Sequence, residues 1–285
     1  MRRNQQSFNK YPYIVLLVIH TIMLLIAFSK TGNRRNTLML LSSNIALGYY
    51  FEYFVVNLFR GYVYKPAVFK NKQFDQIFGA ILSQAMFVPF TAVFITIFQL
   101  NWKLKWLFSF YFFFIENLFV HLRVYTHNWW RSTYTFLLLP FYFWISDKWY
   151  QKLQKGSPLI LFFSFYNIIL ITCVNLLFFR AIRGNVRFGY GKHHTWREHF
   201  IIGPLYSIVL TILTAWKMKR NTDFKTWREI LWFRVACDFL FIKLKWMKGN
   251  LSKIVLNLPY HFLMITISAM ILKFVYREEV KIKTD

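Results

Sequence analysis

An ionisable side chain inside a long apolar stretch is costly unless it is paired or hydrated, so each one raises a question of function. Glu116 lies in an apolar run from about Trp106 to Tyr125. Glu116, Val120, Arg123 and His127 recur at i, i+4, i+7 and i+11, the spacing of one helical stripe. Glu116 and Arg123 would stand two turns apart, so each is expected to meet a group on a neighbouring helix. Glu52 shares a face with Asn44 and Gly48, and Asp75 with Gly79 and Ser83. Asn257, His261 and Ser268 form another stripe. Glu52, Asp75, Glu116, Arg123 and His127 therefore make up a candidate polar core. Such a core could bind an ion, a proton or a polar head group, with Glu52 and Glu116 as carriers and Arg123 as the counter-charge. The competing reading is structural, because polar and small residues at helical spacing commonly join helices. Arg123, near a helix end, could equally snorkel to the interface.

A weaker interfacial candidate is Lys192-His193-His194-Thr195-Trp196-Arg197-Glu198-His199. His194 and Glu198 stand at i, i+4, where a helix would align them. Neither the His-Glu-x-x-His nor the His-x-x-Glu-His pattern of zinc enzymes is present. No metal or cofactor is expected, and a polar turn is the plainer reading. Cys173 and Cys237 define neither a disulfide framework nor a ligand spacing. No glycine-rich phosphate loop and no Gly-x-Ser-x-Gly occur.

The elements that would position these residues are long apolar blocks. The chain has 285 residues, 56% hydrophobic and 22% aromatic, with a mean hydropathy of +0.34. Blocks of about 20 residues match the hydrocarbon thickness of a bilayer, and in lipid such blocks must be helical. They run at about 12–29, 37–59, 74–100, 106–125, 132–146, 158–179, 199–216 and 254–276. The expected fold is all-α: a polytopic transmembrane bundle of about eight spans. Asp223–Lys248 differs, because charges run through it. Arg234, Asp238, Lys245 and Lys248 fall on one face, which predicts an interfacial amphipathic helix. Pro89 predicts a kink in the third block, and Pro140 lies in a short fifth one. Arg2 and Arg3 before the first block read as the start of a retained signal anchor.

Lys and Arg total 36 against 11 Asp and Glu, a formal net charge of +25. The charges fall between the apolar blocks. They read as anchors on anionic lipid head groups, not as a nucleic-acid surface. Trp102, Trp106, Trp129, Trp130, Trp149, Tyr150, Trp216 and Tyr276 sit at block edges, as interfacial aromatics do. Basic residues are nearly balanced between the two sides, so charge gives no orientation. The polar stretch at Gly184–Lys192 is the best candidate boundary. It divides a six-helix bundle (1–179) and its loop (180–198) from a C-terminal part (199–285) with two spans and the amphipathic helix at 223–248.

Over about Leu38 to Leu153 the chain resembles an uncharacterised family of small multi-pass membrane proteins of spore-forming Gram-positive bacteria. The likeness rests on Glu52-Tyr53-Phe54, Phe74-Asp75 ahead of Ser83-Gln84, and Glu116 followed by Tyr125-Thr126-His127-Asn128-Trp129-Trp130 and Tyr134-Thr135. It implies a topology and a bacterial cell membrane but no reaction. The shared polar positions would coincide with Glu52, Asp75, Glu116 and His127. The part from about Gly156 onward has no counterpart in it.

No catalytic constellation is recognisable, so the first expectation is a non-catalytic, multi-pass membrane or envelope-associated protein. Intramembrane carboxylates leave a proton- or ion-coupled transporter or channel as an alternative. Acid–base side chains at head-group depth leave an enzyme acting on a lipid-linked substrate as another. Convergence of Glu52, Glu116 and Arg123 on one cavity would favour the alternatives.

Overall fold

The computed structural model describes residues 8–190 and 193–276. Arg2 and Arg3, Gly191 and Lys192 of the polar stretch, and the charged tail after Tyr276 lie outside the described residues. The chain is all-α but for one two-stranded sheet. It divides into two compact units between Ser157 and Pro158. The division falls ahead of the sixth helix, not after it at 179. The turn there is short: Gly156 takes φ +63 after one helix ends, and Pro158 opens the next.

In the first unit α1 spans Lys10–Lys30 and α2 spans Arg34–Glu52, continued by a π-helical turn at Tyr53–Leu58. Helix α3 spans Lys72–Ile97 and α4 Trp102–His121. Helix α5 spans Ser132–Gln154, eight residues beyond the expected end at Ser146, with Pro140 inside it. Asparagine side chains start three of these helices. Asn33, Asn71 and Asn101 each accept a hydrogen bond from a first-turn backbone amide. The break expected at Pro89 takes the form of a π-helical turn at Leu82–Phe87, just ahead of the proline.

Strands β1 (Tyr62–Tyr64) and β2 (Tyr125–His127) pair antiparallel, with Tyr62 opposite His127 and Tyr64 opposite Tyr125. Gly79 lets β1 lie on α3, since a Cβ there would come within 2.4 Å of the Tyr64 Cβ. Gly79→Ala is expected to destabilise the protein by about 1–3 kcal/mol through overpacking. A thermal unfolding midpoint in detergent equal to that of the parent would refute this.

In the second unit α6 spans Pro158–Ile182, α7 Trp196–Arg220, α8 Phe224–Lys243 and α9 Ser252–Val275. A reciprocal capping box of Thr195 and Glu198 starts α7. Helix α8 ends at Lys243, and Lys245 takes φ +57 beyond it. The face predicted for Arg234, Asp238, Lys245 and Lys248 therefore splits. Arg234 and Asp238 turn inward and are fully buried, whereas Lys245 and Lys248 are exposed in the following turn. The outward side of α8 carries Trp232, Phe239 and Leu240.

Among the described residues five helices, α1, α3, α6, α7 and α9, are long and apolar enough to cross a membrane. They mark the chain as a membrane protein.

Candidate functional site

The predicted polar core resolves around the two-stranded clip of the first unit. Strand β1 follows the end of α2, which carries Glu52, and β2 follows the end of α4, which carries Glu116. Pairing the strands therefore brings the partners of both carboxylates together. Alternation along β1 puts Tyr62 and Tyr64 on one face. Both phenols donate to Glu52 Oε1, at 2.9 and 3.1 Å, and Gln84 Nε2 donates to the same oxygen at 3.2 Å. Glu52 Oε2 is buried without a hydrogen-bond partner among the described residues. Burial first, and then the Glu52 carboxylate, push both tyrosines well above their ordinary pKa, so they remain neutral donors.

Glu116 and His127 do meet, at 2.6 Å between Oε1 and Nε2, but not along a helical stripe. Helix α4 ends at His121, Arg123 takes φ +61, and β2 folds back to present His127. Thr135 donates to Glu116 Oε2 at 2.5 Å and accepts from Trp130 Nε1 at 3.0 Å. Arg123 is exposed and does not join the pair. The reason is the reversal itself: a stripe needs a continuous helix, and the chain leaves the helix two residues before Arg123.

The rest of the motif fastens the clip. Gly61 O accepts from the backbone amides of Asn128 and Trp130. Asn128 Nδ2 donates to Arg60 O and Trp129 Nε1 to Phe59 O, both at 2.7 Å. Tyr13 on α1 donates to Val124 O at 2.7 Å. Asp75 is also spent on structure, accepting from the amides of Ala67, Val68 and Phe69 at 2.7–3.0 Å.

A cavity of about 160 Å³ lies behind the clip. Aromatic rings form much of its wall, among them Tyr62, Tyr64, Tyr125, Trp130 and Phe112. Glu116 and Thr135 line it directly. Glu52 stands behind Tyr62, Tyr64 and Gln84, which line it too. Among the described residues none of the Lys or Arg side chains lines it. A cavity of about 150 Å³ admits a molecule of benzene's size.

Two of the three interfacial candidates, His194 and Glu198, are used by the fold. Glu198 accepts from the Thr195 amide at 2.6 Å, His194 Nε2 meets Lys245 O at 2.9 Å, and His193 is exposed. Among the described residues no three His, Cys, Asp or Glu side chains gather to hold a metal ion.

No family model, no curated protein and no solved structure matches this chain.

Sequence reasoning missed two clusters. In the first unit, Asn44 Nδ2 donates to Ser146 at 2.9 Å, Thr96 meets Ser146 and Asp147, and Lys105 pairs with Asp147. In the second, Arg234 and Asp238 of α8 meet Asn257 and His261 of α9. The signal was present as two i, i+4 polar pairs on consecutive helices.

Proposed function

We propose that this is a multi-pass membrane protein whose first unit binds a small organic cation, of the alkylammonium class, in the aromatic cavity. One observation carries the reading. In a chain of net charge +25, the cavity is walled by aromatic rings and a carboxylate, with no Lys or Arg among its described lining residues. Aromatic faces attract cations through their quadrupole, most strongly where water is excluded. Glu116 supplies charge at the wall, and Glu52 adds a second carboxylate behind it.

The finer topology belongs to the same proposal. The eight apolar blocks all form helices of about crossing length, which supports eight crossings. The outward side of α8 is apolar between Arg228 and Lys243, which supports contact with acyl chains and a ninth crossing beside those eight, not a position flat on the surface. The basic turns between helices would contact anionic head groups, and a bacterial cell membrane is the proposed location. Glu52, Asp75, Glu116 and His127, which carry the family resemblance, all surround the clip. That supports a binding unit shared with those proteins.

Tetramethylammonium binding to the protein in nanodiscs, followed by calorimetry, tests the reading. Saturable binding is expected, weakened about tenfold or more by Glu116→Gln, since a charged partner is worth more than a neutral one. Identical affinity of parent and variant would overturn it. A second reading, cation- or proton-coupled transport, is favoured by one observation: the buried Glu52 is held only by neutral donors, with one oxygen free. Flux in proteoliposomes that survives Glu52→Gln with Glu116→Gln would exclude these residues from it.

A further inference from the structure

The second unit encloses an arginine away from water. Arg234 of α8 is fully buried, as are Asp238 one turn on and His261 of α9. Their hydrogen bonds fix the positions of the protons. A guanidinium nitrogen can only donate, so His261 Nδ1, 3.2 Å from Arg234 Nε, must accept. The imidazole hydrogen then sits on Nε2 and is donated to Asp238 Oδ2 at 2.9 Å. Asp238 also receives Tyr206 Oη on Oδ1 and Asn257 Nδ2 on Oδ2, the latter at 2.6 Å. The carboxylate thus takes three donors, and the guanidinium reaches it only through the imidazole.

That arrangement leaves donors over. Arg234 Nη1 donates to Thr214 Oγ1 at 3.2 Å, but Nη2 is buried with no hydrogen-bond partner among the described residues. Two α7 hydroxyls, Ser207 Oγ and Thr211 Oγ1, are also fully buried without partners. Ser207, Thr211 and Thr214 stand at i, i+4 and i+7, a single stripe of α7. Ser207 and Thr211 lie between Tyr206 and Thr214, the residues through which α7 touches Asp238 and Arg234. With the imidazole neutral, Asp238 balances Arg234. Arg180, half-buried, donates to Asn257 Oδ1 and stacks 4.2 Å over the Tyr260 ring, so a second guanidinium adds positive potential at the edge of the cluster.

We propose that the second unit binds a small monovalent anion of the halide class at Arg234 Nη2. Thr211 and Ser207 supply hydroxyl donors, and the His261–Asp238 pair holds the guanidinium in position. Charge-assisted donors in a water-poor interior are an anion receptor, and the desolvation cost of a second negative charge, with no further donor to offset it, favours a monovalent ion over a divalent one.

Bromide is the probe. The full-length protein in nanodiscs, exchanged into gluconate buffer, is titrated with bromide in a calorimeter. Saturable one-site binding is expected, with chloride competing and sulfate not. Thr211→Val, nearly the same in shape, should weaken it about tenfold while leaving the unfolding midpoint in gluconate unchanged. Arg234→Lys keeps the charge but loses Nη2 and should weaken it further. The absence of saturable bromide binding in the parent protein would overturn the proposal. So would parent-like affinity in Thr211→Val, which needs no change at the buried arginine.

Discussion

Asp238→Ala should lower stability by about 3–5 kcal/mol, because it strands a buried guanidinium and three donors at once. Tyr206, Asn257 and His261 would each lose their acceptor, and Arg234 would keep its charge with no carboxylate near it. Reversible unfolding in mixed micelles measures this directly. The paired replacement Arg234→Met with Asp238→Leu removes both charges and should recover part of the loss, since buried ion pairs are costly to break singly but not to replace together. A loss below about 1 kcal/mol for Asp238→Ala would mean that the network does not hold the second unit together.

The second large effect belongs to Glu52. Glu52→Leu leaves Tyr62, Tyr64 and Gln84 without the oxygen they share, at about 1–3 kcal/mol for each stranded group. Their burial makes the cost cooperative: the clip should loosen from α2, and the cavity wall with it. Glu52→Gln keeps an acceptor oxygen and should cost far less. Equal destabilisation by Leu and Gln would contradict the hydrogen-bond geometry. Parent-like stability of Glu52→Leu would contradict the importance of the clip.

Much of the fold was legible from apolar block length alone, because the bilayer sets that length. Seven of the eight blocks match helices within a few residues; α5 runs well past its block because Asp147 and Lys152 masked its continuation. The polar stretch at Gly184–Lys192 reads as a linker because it is the longer of the two polar interruptions. The two compact units divide instead at the short polar turn Lys155-Gly156-Ser157-Pro158, which resembles any other tight turn between helices.

The site was legible in its residues but not in its geometry. Glu52, Glu116 and His127 were picked because charged and polar side chains in apolar runs are costly. Helical spacing then assigned His127 to the stripe of Glu116. The contact is real, but a strand makes it, and the three-residue β2 carries too few residues to show a period. Spacing puts Arg234 and Asp238 on the charged face of an interfacial amphipathic helix, because it tells which residues share a face, not which way the face points. Only the matching Asn257 and His261 pair on the next helix could have shown that the face turns inward.

The proposed cation site depends on recognition of positive charge by the aromatic cavity. Choline and 3,3-dimethylbutan-1-ol are nearly the same in shape and differ in a quaternary nitrogen against a carbon. Their affinities for the purified protein in nanodiscs, measured side by side, isolate that charge. The account predicts that choline binds at least about tenfold more tightly, from cation–π attraction and the Glu116 carboxylate together. Equal affinity for the two, or tighter binding of the alcohol, would contradict it.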